Sequence, residues 1–99
     1  MSFYDLPKDK RTQLVKKIEQ EIKDDLEQSK IASLQKYSSD EDTYIRKTTY
    51  LAIGKIFFDH QNLQPKIINV LKRLFQNKDE KVRQTVVNAL GEIGKKDAE

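Results

Sequence analysis

The sequence contains no cysteine and no tryptophan, and it has only three glycines and two prolines among 99 residues. Without cysteine, a disulfide framework and a thiolate metal site are excluded. No apolar run approaches the roughly 18 residues of a membrane span, and the first residues lack the basic and apolar regions of a signal peptide. We therefore expect a cytoplasmic protein without a membrane segment, and the scarcity of glycine and proline favours helices.

Charged side chains are abundant and nearly balanced. Nineteen Lys and Arg oppose 16 Asp and Glu, which gives a formal net charge of +3, and charged residues make up 35% of the chain. A chain of this length forms one domain at most. A solvated surface of mixed charge is the simplest interpretation of this composition.

An internal repeat relates two parts of the chain. Residues 45–56 align with residues 82–93 at an offset of 37 positions, and Arg, Thr, Ala, Gly and Ile coincide. The apolar positions of both segments follow the 3.6-residue period of a helix. A supersecondary unit of about this length, used at least twice, predicts stacked helical hairpins.

The apolar spacing predicts five helices, over residues 7–23, 26–37, 43–58, 64–76 and 79–95. We place a break near residues 24–25, and the alternative is one long curved helix over residues 7–37. Pro65 suits the first turn of the fourth helix, where a missing N–H has no cost. Asp42 and Asp79 are expected at the starts of the third and fifth helices, where carboxylates accept hydrogen bonds from free N–H groups.

The predicted core lies between the helices. The residues expected to be buried there are Ile45, Ala52, Ile56, Leu71, Leu74, Val82, Ala89, Leu90 and Ile93. Gly54 and Gly91 lie inside predicted helices, where each costs about 1 kcal/mol relative to alanine. Their recurrence at the repeat spacing predicts close packing on an adjacent repeat.

A family resemblance rests on residues 77–94. Asp79 is followed there by Val82-Arg83, by small residues, and by Ala89-Leu90-Gly91. This order resembles the second-helix signature of HEAT repeats, in the short HEAT-like form often labelled as phycobilisome-lyase type. Residues 40–58 form a weaker copy. The resemblance implies an all-α solenoid of antiparallel helix pairs, roughly two and a half repeats long, and it implies no lyase activity.

The resemblance also suggests how the domain is organised. Residues 1–99 form one domain, with an N-terminal helix over residues 7–23, a first repeat over 26–58 and a second over 64–95. Longer parents are common for this repeat, because stacked repeats bury a continuous core and need capping ends. We therefore expect a fragment of a longer solenoid, and the alternative is a small complete HEAT-like protein.

No residue pattern points to catalysis, a metal or a cofactor. His60, the only histidine, follows Asp59 in a polar turn without the further ligands that a metal site needs. We interpret it as an exposed turn residue. The acidic run 39–42 lacks the spacing and the glycine of a calcium loop, and the paired carboxylates at 24–25 belong to a charged surface. The chain is predicted to be a non-catalytic scaffold for protein interaction, unless residues beyond 99 complete a site.

An apolar stripe runs along the third predicted helix, away from its core face. Tyr44, Leu51 and Phe58 follow one another at intervals of seven residues. We interpret the stripe as core between repeats, and the alternative is an exposed groove for a partner helix or peptide. The candidate interaction surface comprises Tyr44, Lys47, Leu51, Lys55, Phe58, Gln84, Val87 and Asn88. Val87 lies on the outer flank of the last helix, which predicts contact with a further repeat or self-association with a second copy.

The alternative function is nucleic-acid binding through a group of basic side chains near the second repeat. The candidate phosphate contacts are Lys72, Arg73, Lys78, Lys81 and Arg83. DNA alkylation-repair glycosylases are HEAT-like solenoids of this kind, but they use a Trp that this chain lacks. For Arg46 and Arg83 we expect a structural role, in which each arginine binds an inter-helix Asp and ties loops together.

Overall fold

The computed structural model describes residues 2–97, and in this part of the chain the regular structure is entirely helical. The helices are α1 (Lys8–Gln28), α2 (Ala32–Ser38), α3 (Thr43–Asp59), α4 (Gln64–Phe75) and α5 (Glu80–Asp97). Two 3-10 turns, Phe3–Asp5 and Gln61–Leu63, precede α1 and α4. Five α-helices and no strand among the described residues confirm the predicted all-α fold class.

The second helices of the two repeats pack side by side and run in the same direction. The Lys81 ammonium, near the start of α5, lies 3.8 Å from the carboxylate of Glu41, which comes just before α3. Further along, the Glu92 side chain lies beside Gly54. Near the end, the Lys96 ammonium lies 5.6 Å from the centre of the Phe58 ring. The three contacts follow in the same order along both helices, which shows that α3 and α5 are parallel, as in a stack of repeats.

The predicted break between the first two helices exists, but its predicted position was wrong. α1 continues past residues 24–25 to Gln28, and the chain turns at Ser29, whose φ is 56°. The Lys30 N–H donates to the Asp25 carbonyl over 2.9 Å, which closes a Schellman-type turn.

The contacts of Asp25 explain why the turn follows residue 25 and does not replace it. Its carboxylate accepts hydrogen bonds from the N–H groups of Ser33 (2.7 Å) and Leu34 (3.0 Å), in the first turn of α2. The side chain is only 7% exposed, so the expectation of a surface carboxylate was wrong here. α2 has no side-chain cap of its own, and the last turn of α1 supplies the missing acceptor.

The predicted helix starts at the other positions are confirmed. The Asp42 carboxylate accepts the Tyr44 N–H over 2.9 Å, and the Asp79 carboxylate accepts the Lys81 N–H over 2.8 Å. Pro65 lies in the first turn of α4. Local sequence signals therefore set three of the helix starts, because a cap needs only residues of the same turn.

The predicted core is confirmed except for Leu90. The other eight residues expected inside are buried: Ile45, Ala52, Ile56, Leu71, Leu74, Val82, Ala89 and Ile93. Leu90 is 44% exposed, because it lies on the flank of α5 that no other described helix covers. From α1, the core gains Ile18, Ile22 and Leu26, each fully buried.

The two repeat-related glycines differ in their surroundings. A Cβ atom added at Gly54 would lie 3.1 Å from the Cβ of Glu92 on α5, so the predicted close packing is confirmed at this position. A Cβ atom at Gly91 would meet no heavy atom within 4 Å. The packing prediction for Gly91 was therefore wrong within the described chain, again because nothing covers that side of α5.

This difference predicts that a glycine-to-alanine substitution changes the free energy of unfolding differently at the two positions. Gly91→Ala is expected to raise the free energy of unfolding by about 1 kcal/mol, because alanine loses less backbone entropy in a helix. Gly54→Ala has the same local gain but must displace α5, so we expect the Gly54→Ala protein to be the less stable of the two. Urea denaturation of both variants at low protein concentration measures the difference. Equal stabilisation of the two would contradict the close α3–α5 packing at Gly54.

Candidate functional site

The α3 stripe, defined as Tyr44, Leu51 and Phe58, is largely open to solvent. Tyr44 is 45% exposed and Leu51 is 43% exposed, while Phe58 is half-buried against Phe57. The interpretation of the stripe as core between repeats was therefore wrong for its first two members. The physical reason is that α5 packs on the Gly54 side of α3 and leaves the Leu51 side uncovered.

The rest of the candidate interaction surface divides between two faces. Lys47, Lys55 and Gln84 are exposed and Asn88 is half-buried, with a long contact of 3.5 Å between the side-chain amides of Gln84 and Asn88. Val87 is 46% exposed. Successive helix positions lie about 100° apart, so Val87 faces a different direction from Asn88 and does not join the α3 stripe.

Val87 instead belongs to an apolar end face formed by α4 and α5. The end face is defined as Ile68, Phe75 and Leu90, which line a cleft of about 380 Å³ between the two helices, together with Val87, which lies one turn before Leu90 on α5. Phe75 is 51% exposed and Leu90 is 44% exposed. The sequence predicted an outer position for Val87, but it placed Leu90 in the core and Phe75 on the apolar side of the fourth helix, because helical periodicity gives the direction of a side chain and not what covers it.

The repeat shows what normally covers such positions. At the 37-residue offset, Leu90 corresponds to Ile53, which is 1% exposed, and Phe75 corresponds to Ser38, which is also 1% exposed. The inner positions are buried because a following helix pair packs on them. The end face is thus the surface on which, one repeat earlier, α4 and α5 themselves lie.

A second concave region follows α1. One cleft of about 410 Å³ lies between α1 and α3, and another of about 420 Å³ lies between α1 and the N-terminal 3-10 turn. Both clefts are lined by Lys16 and Glu19, so they adjoin. His60 lines the first cleft and is half-buried, which corrects its interpretation as an exposed turn residue.

The candidate phosphate contacts are largely engaged within the chain. The Arg73 guanidinium donates to the Ser29 carbonyl over 2.9 Å, and the Lys81 ammonium lies 3.6 Å from the Asp79 carboxylate. Lys72 borders the end-face cleft, and Lys78 lies exposed in the link before α5. No contact among the described residues brings these side chains together as one phosphate-binding set.

Arg46 and Arg83 tie loops together, as expected, but through different partners. Arg83 donates to the carbonyls of Asn77 and Lys78, both over 2.8 Å. Arg46 donates to the Asp40 carbonyl and, over 3.1 Å, to the Thr43 hydroxyl. The predicted Asp side chains are not the acceptors, because the carboxylates of both Asp residues cap the helices instead.

The titratable groups with unusual surroundings have structural contacts. The buried Tyr37 hydroxyl donates to the Glu21 carboxylate, and burial together with this carboxylate raises the pKa of Tyr37 to about 12. In the described residues, no three His, Asp or Glu side chains lie close enough to hold a metal ion.

The comparison with protein families agrees with this architecture. The family model of HEAT repeats matches residues 31–98, which cover α2 to α5. The chain belongs to the HEAT-repeat family. No curated protein and no solved structure gives a significant match.

HEAT repeats form helical scaffolds that commonly mediate protein interaction. This family membership agrees with the exposed apolar faces on α3 and on the α4–α5 pair. Among residues 2–97, no helix is both long enough and apolar enough to cross a membrane.

Proposed function

We propose that this HEAT-repeat chain is a non-catalytic, cytoplasmic scaffold that binds other protein molecules, and that its end face is the principal contact. The single observation that carries the proposal is the contrast between Leu90, 44% exposed, and its repeat equivalent Ile53, 1% exposed. Full burial of a leucine or phenylalanine side chain stabilises a fold or a complex by about 1.5–3 kcal/mol relative to an exposed side chain. The uncovered end face therefore favours association with a helical partner.

A second copy of this chain fits the end face. Val87, Leu90, Gly91 and Gly94 recur at i, i+3, i+4 and i+7, which makes one stripe along α5. Neither glycine has a neighbour within 4 Å of an added Cβ, so nothing described in the chain itself requires them. Two α5 helices crossing antiparallel about the middle of this stripe would set Val87 against the second copy's Gly94.

The same crossing would set Leu90 against the second copy's Gly91. Large side chains then meet small ones at each of these contacts, which is the complementarity that a twofold symmetric interface requires. Phe75 and Ile68 of α4 extend the apolar area on either copy. Self-association through α5 thus covers the positions that the neighbouring repeat covers elsewhere in the stack.

Analytical ultracentrifugation at rising concentration tests this proposal. We expect the unchanged protein to form dimers and Leu90→Glu to remain monomeric, because a buried unpaired carboxylate opposes association. Leu51→Glu is a matched control, since Leu51 is 43% exposed on the α3 stripe, away from the end face. A monomer at high concentration, or equal loss of dimer in both variants, would contradict the proposed contact.

The α3 stripe with Lys47, Lys55, Gln84 and Asn88 remains a proposed second surface, for a partner of different sequence. Lys55, at its edge, also lines the cleft between α1 and α3. Its exposed Tyr44 and Leu51 support this proposal. For nucleic-acid binding, including a glycosylase-like role, the intrachain contacts of Arg73 and Lys81 count against a dedicated phosphate surface.

A further inference from the structure

The two clefts along α1 adjoin at Lys16 and Glu19, and together they are called the α1 groove. It begins at the N-terminal 3-10 turn beside Tyr4, passes Lys16 and Glu19, and ends between α1 and the last turn of α3. Its two parts measure about 420 and 410 Å³. The groove is distinct from the end face, which lies on the α4–α5 pair.

Cations dominate the lining of the α1 groove. Five basic side chains line it against two acidic ones, Glu19 and Asp59; the basic ones are Lys8, Arg11, Lys16, Lys23 and Lys55. The difference of three charges equals the net charge of the whole chain. Among the described residues the ion pairs involve Lys81 alone, so none of the groove cations is held in an ion pair with a carboxylate.

The fold creates this asymmetry from a helix whose sequence is nearly neutral. Two acidic residues of α1 contact α2: Glu21 accepts the Tyr37 hydroxyl, and the Asp25 carboxylate accepts the Ser33 and Leu34 N–H groups. These carboxylates therefore do not offset the lysines of the groove. Of the acidic residues of α1, Glu21 and Asp25 thus lie toward α2, whereas Glu19 lies in the groove with the lysines.

Apolar surface accompanies the charge. Tyr4 is 54% exposed, packs edge-on against Tyr44 with ring centres 4.3 Å apart, and lies 5.1 Å from the Arg11 guanidinium. Val15 is half-buried beside it. A ligand in the groove would meet ammonium groups and apolar side chains together.

We propose that the α1 groove binds an acidic peptide segment of a partner protein that also carries apolar side chains. Carboxylates of the peptide pair with Lys16, Lys23 and Lys55, and an apolar side chain packs on Tyr4. The proposal rests on the proposed scaffold function and names the class of partner for a surface beyond the end face.

The carboxylates within the groove favour a peptide over a nucleic acid. Glu19 lies at the junction of the two clefts and Asp59 at one end. Duplex DNA carries one negative charge per roughly 1.7 Å of its axis, so its backbone would meet both carboxylates unfavourably. A peptide can place neutral or basic side chains opposite Glu19 and Asp59, and acidic ones opposite the lysines.

Fluorescence anisotropy with a labelled amphipathic peptide, glutamates on one face and leucines on the other, tests the proposal. We expect binding that weakens as salt rises, and that falls at least about tenfold, equivalent to 1.4 kcal/mol, in the double variant Lys16→Glu, Lys55→Glu. The control Lys30→Glu, Lys78→Glu makes the same charge change at exposed positions outside the groove and the end face, and it should leave affinity within about twofold. Circular dichroism confirms that both variants remain folded.

Two further probes separate the possible outcomes. Tyr4→Ala should weaken binding of the amphipathic peptide but leave binding of polyglutamate nearly unchanged, since only the first has an apolar contact. Tighter binding of duplex DNA than of peptide, or equal loss in both charge-reversal variants, would overturn the proposal. If no acidic peptide binds while Leu90→Glu still abolishes dimerisation, the groove inference fails and the scaffold function stands.

Discussion

Leu74→Ala is expected to lower the free energy of unfolding by about 2–5 kcal/mol, whereas Leu90→Ala should lower it by less than about 1 kcal/mol. Both residues are leucines on helices of the second repeat, but Leu74 is 1% exposed and Leu90 is 44% exposed. Removing Leu74 leaves a cavity between helices, whereas removing Leu90 leaves a surface that water already contacts. Because both substitutions are Leu→Ala, the difference between their effects on the free energy of unfolding reports the effect of burial.

Thermal denaturation at a concentration that keeps the chain monomeric measures this contrast. In a domain of this size each kcal/mol shifts Tm by about 4–8 °C, so Leu74→Ala should melt at least about 8 °C lower. At dimer-forming concentrations Leu90→Ala should become more destabilising, because the proposed association stabilises the fold through Leu90. Equal melting shifts in the two variants at low concentration would show that the exposed position of Leu90 is wrong.

Asp25→Ala is expected to destabilise the protein by about 1–3 kcal/mol, because two N–H groups at the start of α2 lose their acceptor. Asp24→Ala provides a control at the adjacent position. Asp24 is exposed, and its carboxylate accepts a hydrogen bond from the Gln20 amide on the same helix. We expect its effect to stay within about 0.5 kcal/mol.

Chemical denaturation and amide hydrogen exchange check the Asp25 prediction. The Ser33 and Leu34 amides should exchange faster in Asp25→Ala, while amides in α5 should follow the global change in stability. Similar denaturation curves for the two variants would contradict the role of Asp25 as the acceptor that α2 lacks. The measurement also checks the turn at Ser29, which brings the two helices together.

The local features of the fold could be read from the sequence. Pro65 and the carboxylates of Asp42 and Asp79 act within one helical turn, so no knowledge of the tertiary structure was needed to predict them. The break after α1 was different. Its position depends on Asp25 reaching the first turn of α2, a contact between two helices that no spacing within one helix indicates.

The candidate surfaces were only partly predictable for the same reason. Tyr44 and Leu51 fit either core or exposed surface by periodicity alone, and the packing of α5 against the Gly54 side of α3 left them open. The α1 groove could not be predicted, because the acidic residues of α1 cancel its lysines in a count of charges. Two of these acidic residues, Glu21 and Asp25, contact α2 and not the groove.

By itself, the sequence determined the helical class, the repeat and the direction in which each apolar side chain points from its helix. Those properties follow from backbone propensity and from the 3.6-residue period, which act over a few residues. Only the tertiary structure decided which of these side chains are covered by a neighbouring helix. Ile53 and Leu90 occupy equivalent repeat positions with similar side chains, yet one is buried and the other exposed, because burial requires a neighbouring helix and α5 has none described on its outer flank.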